Sequence, residues 1–220
     1  MSLEIDSGCC RASESGSQVL AVAPGLHLPF NSRLLRETRP TAKRAAIFLD
    51  RDGVIVRDVH YLRRPSQIEI LPNAGTLSLL QDRFYLVVAT NQSGIARNLF
   101  TEQDLLAIHL DLALQLAAIN VVIDAFYYCP HLPSGAVEAY GIDCECRKPK
   151  GGMLLRAAAD WGIGLESSYM IGDSMRDMEA ARAAGLAESI LLGGAPDAAR
   201  KYECAEDLPH AIRIILGGAA

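Results

Sequence analysis

The 220-residue chain contains no run of 18 or more apolar residues, so nothing in it is long enough to cross a bilayer as a helix. Residues 1–30 lack a basic segment followed by a clean apolar stretch, which argues against a secretory signal. Basic excess is missing too: the formal net charge is −5, which disfavours a general nucleic-acid surface. No internal repeat is visible, which excludes a solenoid. The cysteine spacing of a disulfide framework is also lacking. Of six cysteines, Cys144 and Cys146 are separated by one residue, and His131 lies two after Cys129. That placement suits metal-binding thiolates in a reducing, cytoplasmic setting. What is present is apolar surface: half the residues are hydrophobic, enough to build a sizeable core in a single domain.

Residues 1–41 carry Ser, Gly and Pro without sustained periodicity and read as an N-terminal extension or arm. Cys9 and Cys10 within it are incidental thiols in this reading. Residues 42–220 form the main domain. There, apolar runs at 45–49, 84–90, 121–127, 168–171 and 189–192 alternate with helical patterns at 73–82, 101–118, 151–161, 175–184 and 205–215. Thr101 with Asp104 three residues later predicts a capping pair for the second helix. Strand–helix alternation with continuously apolar strands predicts an α/β fold, a parallel sheet with helices on both faces. Ligands in such sheets collect beyond the carboxyl ends of the strands.

The polar residues fall where that rule places them. Asp50-Arg51-Asp52-Gly53 follows the first strand, Thr90-Asn91-Gln92-Ser93-Gly94 the second, and Gly172-Asp173 the fourth, with Asp177 four residues on. Arg147-Lys148-Pro149-Lys150 precedes the helix at 151–161. Each has a plain alternative: Asp50 and Asp52 a solvated turn, Thr90 or Ser93 a turn cap, Lys148 a surface lysine, Asp173 a helix N-cap. Together they are chemically complete for phosphoryl transfer. Asp50 is the candidate nucleophile, forming an aspartyl-phosphate, and Asp52 the acid and then the base. Asp50, Asp173 and the backbone carbonyl of Asp52 are candidate magnesium ligands. Thr90 and Lys148 would bind the phosphoryl oxygens. Asp177 is an outer-shell metal partner or a helix surface acid.

Cys129, His131, Cys144 and Cys146 make up three thiolates and one imidazole, a closed tetrahedral set for structural zinc. The alternatives are four unrelated residues or a Cys144–Cys146 disulfide, which would be strained and would leave His131 unexplained. The loop 129–146 leads directly into Arg147 and Lys148, so a bound ion would fix their reach.

The order Phe48-Leu49-Asp50-Arg51-Asp52-Gly53, Thr90-Asn91, Lys148-Pro149 and Gly172-Asp173 resembles the four motifs of the haloacid-dehalogenase-like hydrolases, over about residues 45–195. The resemblance implies a Rossmann-like sheet and magnesium-dependent phosphatase chemistry. Asn91-Gln92-Ser93-Gly94-Ile95-Ala96-Arg97, Tyr127-Tyr128-Cys129-Pro130-His131 and Cys144-Glu145-Cys146-Arg147-Lys148-Pro149 narrow it to the heptose 1,7-bisphosphate phosphatases, with histidinol-phosphate phosphatase as the nearest relative. Ser93 and the longer zinc loop favour the former.

That resemblance implies substrate contacts at Asp58, Val59, His60, Tyr61, Asn91, Gln92, Ser93, Arg147 and Ser174, with Arg147 holding the phosphate that stays on the sugar. It implies removal of the 7-phosphate of heptose 1,7-bisphosphate in lipopolysaccharide-core synthesis; separately, a monomer is expected. No insertion large enough for a cap domain is present, so specificity must come from short loops. Ser174 departs from the pattern, since the family usually has Lys or Arg at this substrate-facing position. From another functional class, an inactive zinc-stabilised phosphate-binding or scaffold protein is the alternative.

Overall fold

The computed structural model describes residues 25–27, 43–194 and 201–217. The described strands are β1 (Leu26–His27), β2 (Ala46–Leu49), β3 (Tyr85–Asn91), β4 (Ala125–Cys129), β5 (Tyr169–Gly172), β6 (Glu188–Leu192) and β7 (Glu203–Ala205). They form one sheet in the order β1-β4-β3-β2-β5-β6-β7. All neighbours are parallel except β1, which pairs antiparallel with β4 through Leu26 opposite Tyr127. The helices are α1 (Glu102–Ala118), α2 (Gly152–Trp161), α3 (Met175–Ala184) and α4 (Leu208–Ile215).

Side-chain alternation along the strands divides the interior into two layers. Ile47, Leu49, Leu86 and Val88 point into one layer, which α1, α4 and the turn before β3 close with Ile108, Leu112, Ile212 and Leu77. Ala46, Phe48, Tyr85 and Val87 point into the other, closed by Leu154 of α2 and Met178 of α3. Both faces of β2 are thus covered, which is why that strand is continuously apolar. The expected α/β architecture, helices on both faces of a parallel sheet, is what forms.

Local chemistry sets the boundaries. At the start of α1, Thr101 Oγ1 accepts from Asp104 N at 3.1 Å, and the Asp104 carboxylate accepts from Thr101 N at 2.8 Å. This is the expected reciprocal cap. Residues 73–82 differ from the expected helix: Ala74–Leu80 is a 3₁₀ segment. Thr76 and Ser78 donate their hydroxyls to the carbonyls of Asn73 and Gly75, three residues back, and compete with the wider α turn.

The strand expected at 121–127 begins later, at Ala125. Asn120 takes a left-handed φ of 63°. The buried Asp124 then uses its carboxylate to accept Leu86 N at 2.9 Å, and strand pairing starts just beyond it.

β1 and β7 have no counterpart in the periodicity, being two and three residues long. The arm expected over 1–41 lies outside the described residues apart from 25–27, as do Cys9 and Cys10.

Phe48 is fully buried at the centre of the sheet. Phe48→Ala is expected to cost about 3–5 kcal/mol of stability, read as a lowered urea midpoint. A change below about 1 kcal/mol would show that this layer is not tightly packed.

Candidate active site and metal centres

Because β2, β3, β4 and β5 run parallel, their carboxyl ends open on one edge of the sheet. Asp50 N donates to Ile171 O at 3.0 Å, tying the end of β2 to that of β5. Gly53 follows in a turn with φ of 80°, and a Cβ there would collide with the Asp173 carboxylate. Gly172 is constrained likewise, since its Cβ would run into the Asp177 carboxyl group. Only glycine lets the two acidic loops approach this closely.

Lys148 is 2% exposed and occupies the middle of the site. Its ammonium lies 3.1 Å from Asp50 Oδ1 and 2.5 Å from Asp177 Oδ1, and donates to Ala89 O at 2.7 Å. Burial alone would lower the lysine pKa, but the Asp50 and Asp177 carboxylates overcome it and hold it above its usual value.

Asn91 positions the lysine's backbone: its Nδ2 donates to Lys148 O at 2.9 Å and its Oδ1 accepts from Lys148 N at 3.1 Å. Thr90, also buried, precedes Asn91 near the end of β3 and accepts from Gln92 Nε2 at 2.9 Å.

Asp50, Asp173 and Asp177 bring carboxylate oxygens within 4.8 Å of one another. Burial pushes Asp50 up to about 7, with the Asp177 and Asp52 charges adding to it and Lys148 opposing. Asp173 is also raised, by desolvation and then by Asp177. Three hard oxygen donors, with Asp50 and Asp173 both raised, fit a divalent cation such as magnesium.

Asp177 is fully buried, so the surface-acid alternative is excluded. Its Oδ2 accepts from Ser174 N at 3.1 Å and from Ser174 Oγ at 2.6 Å. Ser174 therefore spends its hydroxyl proton on the Asp177 carboxylate.

Cys129, Cys144 and Cys146 place their sulfurs 3.2–3.5 Å apart, and His131 Nδ1 lies 3.7 Å from Cys129 and 3.4 Å from Cys146. These are close to the edges of about 3.5–3.8 Å expected of a tetrahedron around zinc. All three thiols are free, so the disulfide alternative is excluded. Mutual hydrogen bonding drives Cys144 down, while the Cys144 contact and burial hold Cys129 up at about 12. One cation shared by all the sulfurs relieves that competition.

The loop is braced beyond the sulfurs. Arg147 Nη1 donates to His131 O at 3.1 Å, and Glu102 accepts the hydroxyls of Tyr128 and Tyr140 at 2.9 and 3.1 Å.

Residues 145–212 match the profile of a family described as HAD-hydrolase-like. The chain is 39% identical over 178 residues to D-glycero-beta-D-manno-heptose-1,7-bisphosphate 7-phosphatase of Yersinia pestis, covering 76% of this chain and 95% of the relative. With the enzyme of the same name from Escherichia coli K12 it shares 40% over 180 residues, covering 76% and 93%. The crystal structure of D,D-heptose 1,7-bisphosphate phosphatase from B. bronchiseptica, complexed with magnesium and phosphate, superposes with a TM-score of 0.67 at 34% identity, covering 80% of this chain and 99% of that one. The chain belongs to the heptose-1,7-bisphosphate 7-phosphatase family of HAD-like hydrolases.

Other expected positions separate by side-chain role in this family member. Asp58 Oδ1 accepts from His60 N at 2.7 Å, and its charge reaches Asp173, so the 58–61 turn borders the acidic site. His60 has φ of 70° and meets the Tyr61 ring edge-on at 4.9 Å. Val59, His60 and Tyr61 line a cavity of about 410 Å³ together with Arg63, Arg64 and Gln67, which sequence reasoning did not single out.

Ser93 starts the turn that Arg97 N closes on its carbonyl at 3.1 Å. Asp52 stands outside the acidic triad and turns toward Arg51 and Gln92. Arg51 and His109 also went unnoticed in the sequence: an arginine between two acids reads as solvated, and a lone helix histidine as core.

Two measurements test the metal centres. Elemental analysis is expected to find about one zinc per chain, and Cys144→Ser to lose it with about 3 kcal/mol or more of stability. An intact fold without zinc would refute the site.

A folded-state pKa above the ordinary 3.8 means that the native protein binds this proton more tightly than the unfolded chain does. In the metal-free protein, the Asp50 contribution to stability is therefore full below about 4 and lost as pH rises to about 7. A cation must displace that proton. Magnesium should thus raise Tm more at pH 8 than at pH 6, with apparent affinity about tenfold weaker at the lower pH. An equal rise at both would show that Asp50 is not a ligand.

Proposed function

We propose that the chain hydrolyses a phosphate monoester of a small phosphorylated sugar through an aspartyl-phosphate, and that the substrate is D-glycero-D-manno-heptose 1,7-bisphosphate, which loses its 7-phosphate. The observation that carries this reading is the Lys148 ammonium between Asp50 and Asp177 at the carboxyl edge of the sheet. One face of Asp50 is thereby supplied with positive charge. Such charge favours the carboxylate over the acid and prepares it as a nucleophile.

In this reading the Asp50 carboxylate attacks phosphorus while the ester P–O bond breaks. Asp52 delivers its proton to the leaving sugar oxygen. Water then attacks the phosphorus of the acyl phosphate, Asp52 takes the water proton, and the P–O bond to Asp50 breaks to release inorganic phosphate. Thr90 and Lys148 hold the equatorial oxygens through the trigonal transition state. Magnesium, held by Asp50, Asp173 and the Asp52 carbonyl with Asp177 in support, would neutralise phosphate charge.

Arg147, braced on the zinc loop by its bond to His131 O, is suited to the phosphate that remains on the sugar. The 58–61 turn and Asn91 to Ser93 complete the substrate rim. Ser174 is a poor substrate contact because its hydroxyl is already committed to Asp177.

Every group required comes from one chain, so a monomer suffices. The free thiols suit a reducing compartment, the cytoplasm. No helix among the described residues is long and apolar enough to cross a membrane.

Side-by-side turnover of both heptose 1,7-bisphosphate anomers, histidinol phosphate and fructose 1,6-bisphosphate tests the substrate. The heptose is expected to give the highest kcat/KM, and a higher value for histidinol phosphate would sink the assignment. Asp50→Asn should lower kcat at least about 10³-fold, since the amide cannot serve as the nucleophile. Unchanged turnover would end the covalent mechanism.

A further inference from the structure

Arg51 is 1% exposed, and it heads the fully buried side chains by size. A guanidinium is always charged and is not accommodated in a protein interior without partners. Arg51 has them on every side. Its Nε and Nη2 donate to Asp52 Oδ1 at 3.2 and 3.0 Å, and Nη2 also donates to Asp52 Oδ2 at 2.7 Å. Nη2 reaches Gln92 Oε1 at 3.1 Å, and Nη1 lies 3.3 Å from His109 Nε2.

A guanidinium only donates, so His109 presents Nε2 as an acceptor. The imidazole is itself fixed, fully buried in α1 and stacked on Phe126 at 4.5 Å. Gln92 closes the circuit: its Nε2 donates to Asp52 Oδ2 at 3.1 Å and to Thr90 Oγ1 at 2.9 Å.

From this geometry we infer that Arg51 is a positioning residue for Asp52, with His109 as its backstop. The inference rests on the phosphatase reading above, in which Asp52 moves the proton. Proton transfer requires the carboxyl group to face the leaving oxygen within hydrogen-bond reach. Two parallel N–H bonds fix the plane of a carboxylate as well as its distance, which a lysine point charge does not.

The Asp52 side chain keeps 26% exposure, so it is gripped from beneath and reachable from the substrate side. Arg51 also donates its backbone N–H to Asp50 Oδ1 at 2.7 Å. One residue therefore orients both acids of the Asp50-Arg51-Asp52 run.

A general acid matters in proportion to the leaving group's need for a proton. A sugar alkoxide needs one, whereas p-nitrophenolate leaves without it. The experiment compares kcat/KM for heptose 1,7-bisphosphate and p-nitrophenyl phosphate on the same enzyme sample. The ratio of the two cancels any change in the folded fraction.

Arg51→Lys is expected to lose about 100-fold on the sugar phosphate and less than about threefold on the aryl phosphate. His109→Gln, which retains an acceptor, should shift the ratio in the same direction by about three- to tenfold. Asp52→Asn is the reference and should show the same leaving-group selectivity. If Asp52→Asn is selective while Arg51→Lys loses equally on both substrates, or on neither, the positioning role is wrong. If Asp52→Asn is itself unselective, the proton-transfer reading of Asp52 fails and the inference fails with it.

Discussion

A lysine ammonium almost wholly withdrawn from solvent must find anions or give up its proton, and Lys148 finds two. That requirement organises the molecule. Asp50 comes from the end of β2, Asp177 from the first turn of α3 and the Ala89 carbonyl from β3, while Lys148 arrives on the loop from the cysteine cluster. Four chain segments with no local reason to meet are brought together around one charge. A parallel sheet makes the meeting possible, because its carboxyl ends all open on one edge. The balance is incomplete without a cation, since Asp50, Asp173 and Asp177 outnumber the lysine. The site thus combines a fixed positive charge with donors for an exchangeable one.

The two candidate ion sites are distinguished by chemistry rather than by shape. Thiolates and imidazole with no free position suit zinc, and their neighbours tie the loop down through Glu102, Tyr128 and Tyr140. Carboxylates at a partly exposed edge suit magnesium, which keeps room for phosphate oxygens. The first site leads directly into the second. Cys146 lies two residues before Lys148, and Asn91 clamps the lysine's backbone from the other side. A swing of the loop by even one ångström would move the ammonium out of contact with Asp50. With no cap domain among the described residues, prior placement of charge is the means of orientation left.

What the sequence revealed follows from what kind of signal each feature leaves. Strands β2, β3 and β5 are buried on both faces or nearly so, and β6 buries Ile190 and Leu191 on opposite faces; such strands announce themselves as apolar runs. The four cysteine-loop ligands were legible because three cysteines and a histidine at that spacing suit little besides a metal ion. Apolar periodicity could not reveal β1 and β7, whose two and three residues are too few to repeat. Nor could it place the start of β4, which depends on the Asp124 carboxylate reaching Leu86 across the sheet. Asp177 was undecidable in sequence, since an acid in a first helical turn is usually exposed. Its burial comes from Lys148, 29 positions earlier in the chain. Gln92 is similar: one amide bridges Asp52 and Thr90, a connection only the fold creates.

The pair of acids raises a physical problem that the residue between them resolves. Residues at i and i+2 of an extended chain face the same way, so two carboxylates there repel. The chain lessens this by leaving the strand at Leu49 and bending, so that Asp50 meets Lys148 and Asp52 meets Arg51, although the Asp52 charge still raises Asp50. Each acid then has its own cation. A nucleophile must stay ionised and near phosphorus, whereas an acid must exchange its proton at the opposite, leaving-group side. Separate counter-ions let those demands be met independently, because changes at Lys148 act first on Asp50 and changes at Arg51 act first on Asp52. A single cation shared by both carboxylates would couple them, and protonating one would weaken the grip on the other. The division of labour proposed for Asp50-Arg51-Asp52 would therefore be set by which buried cation each side chain faces.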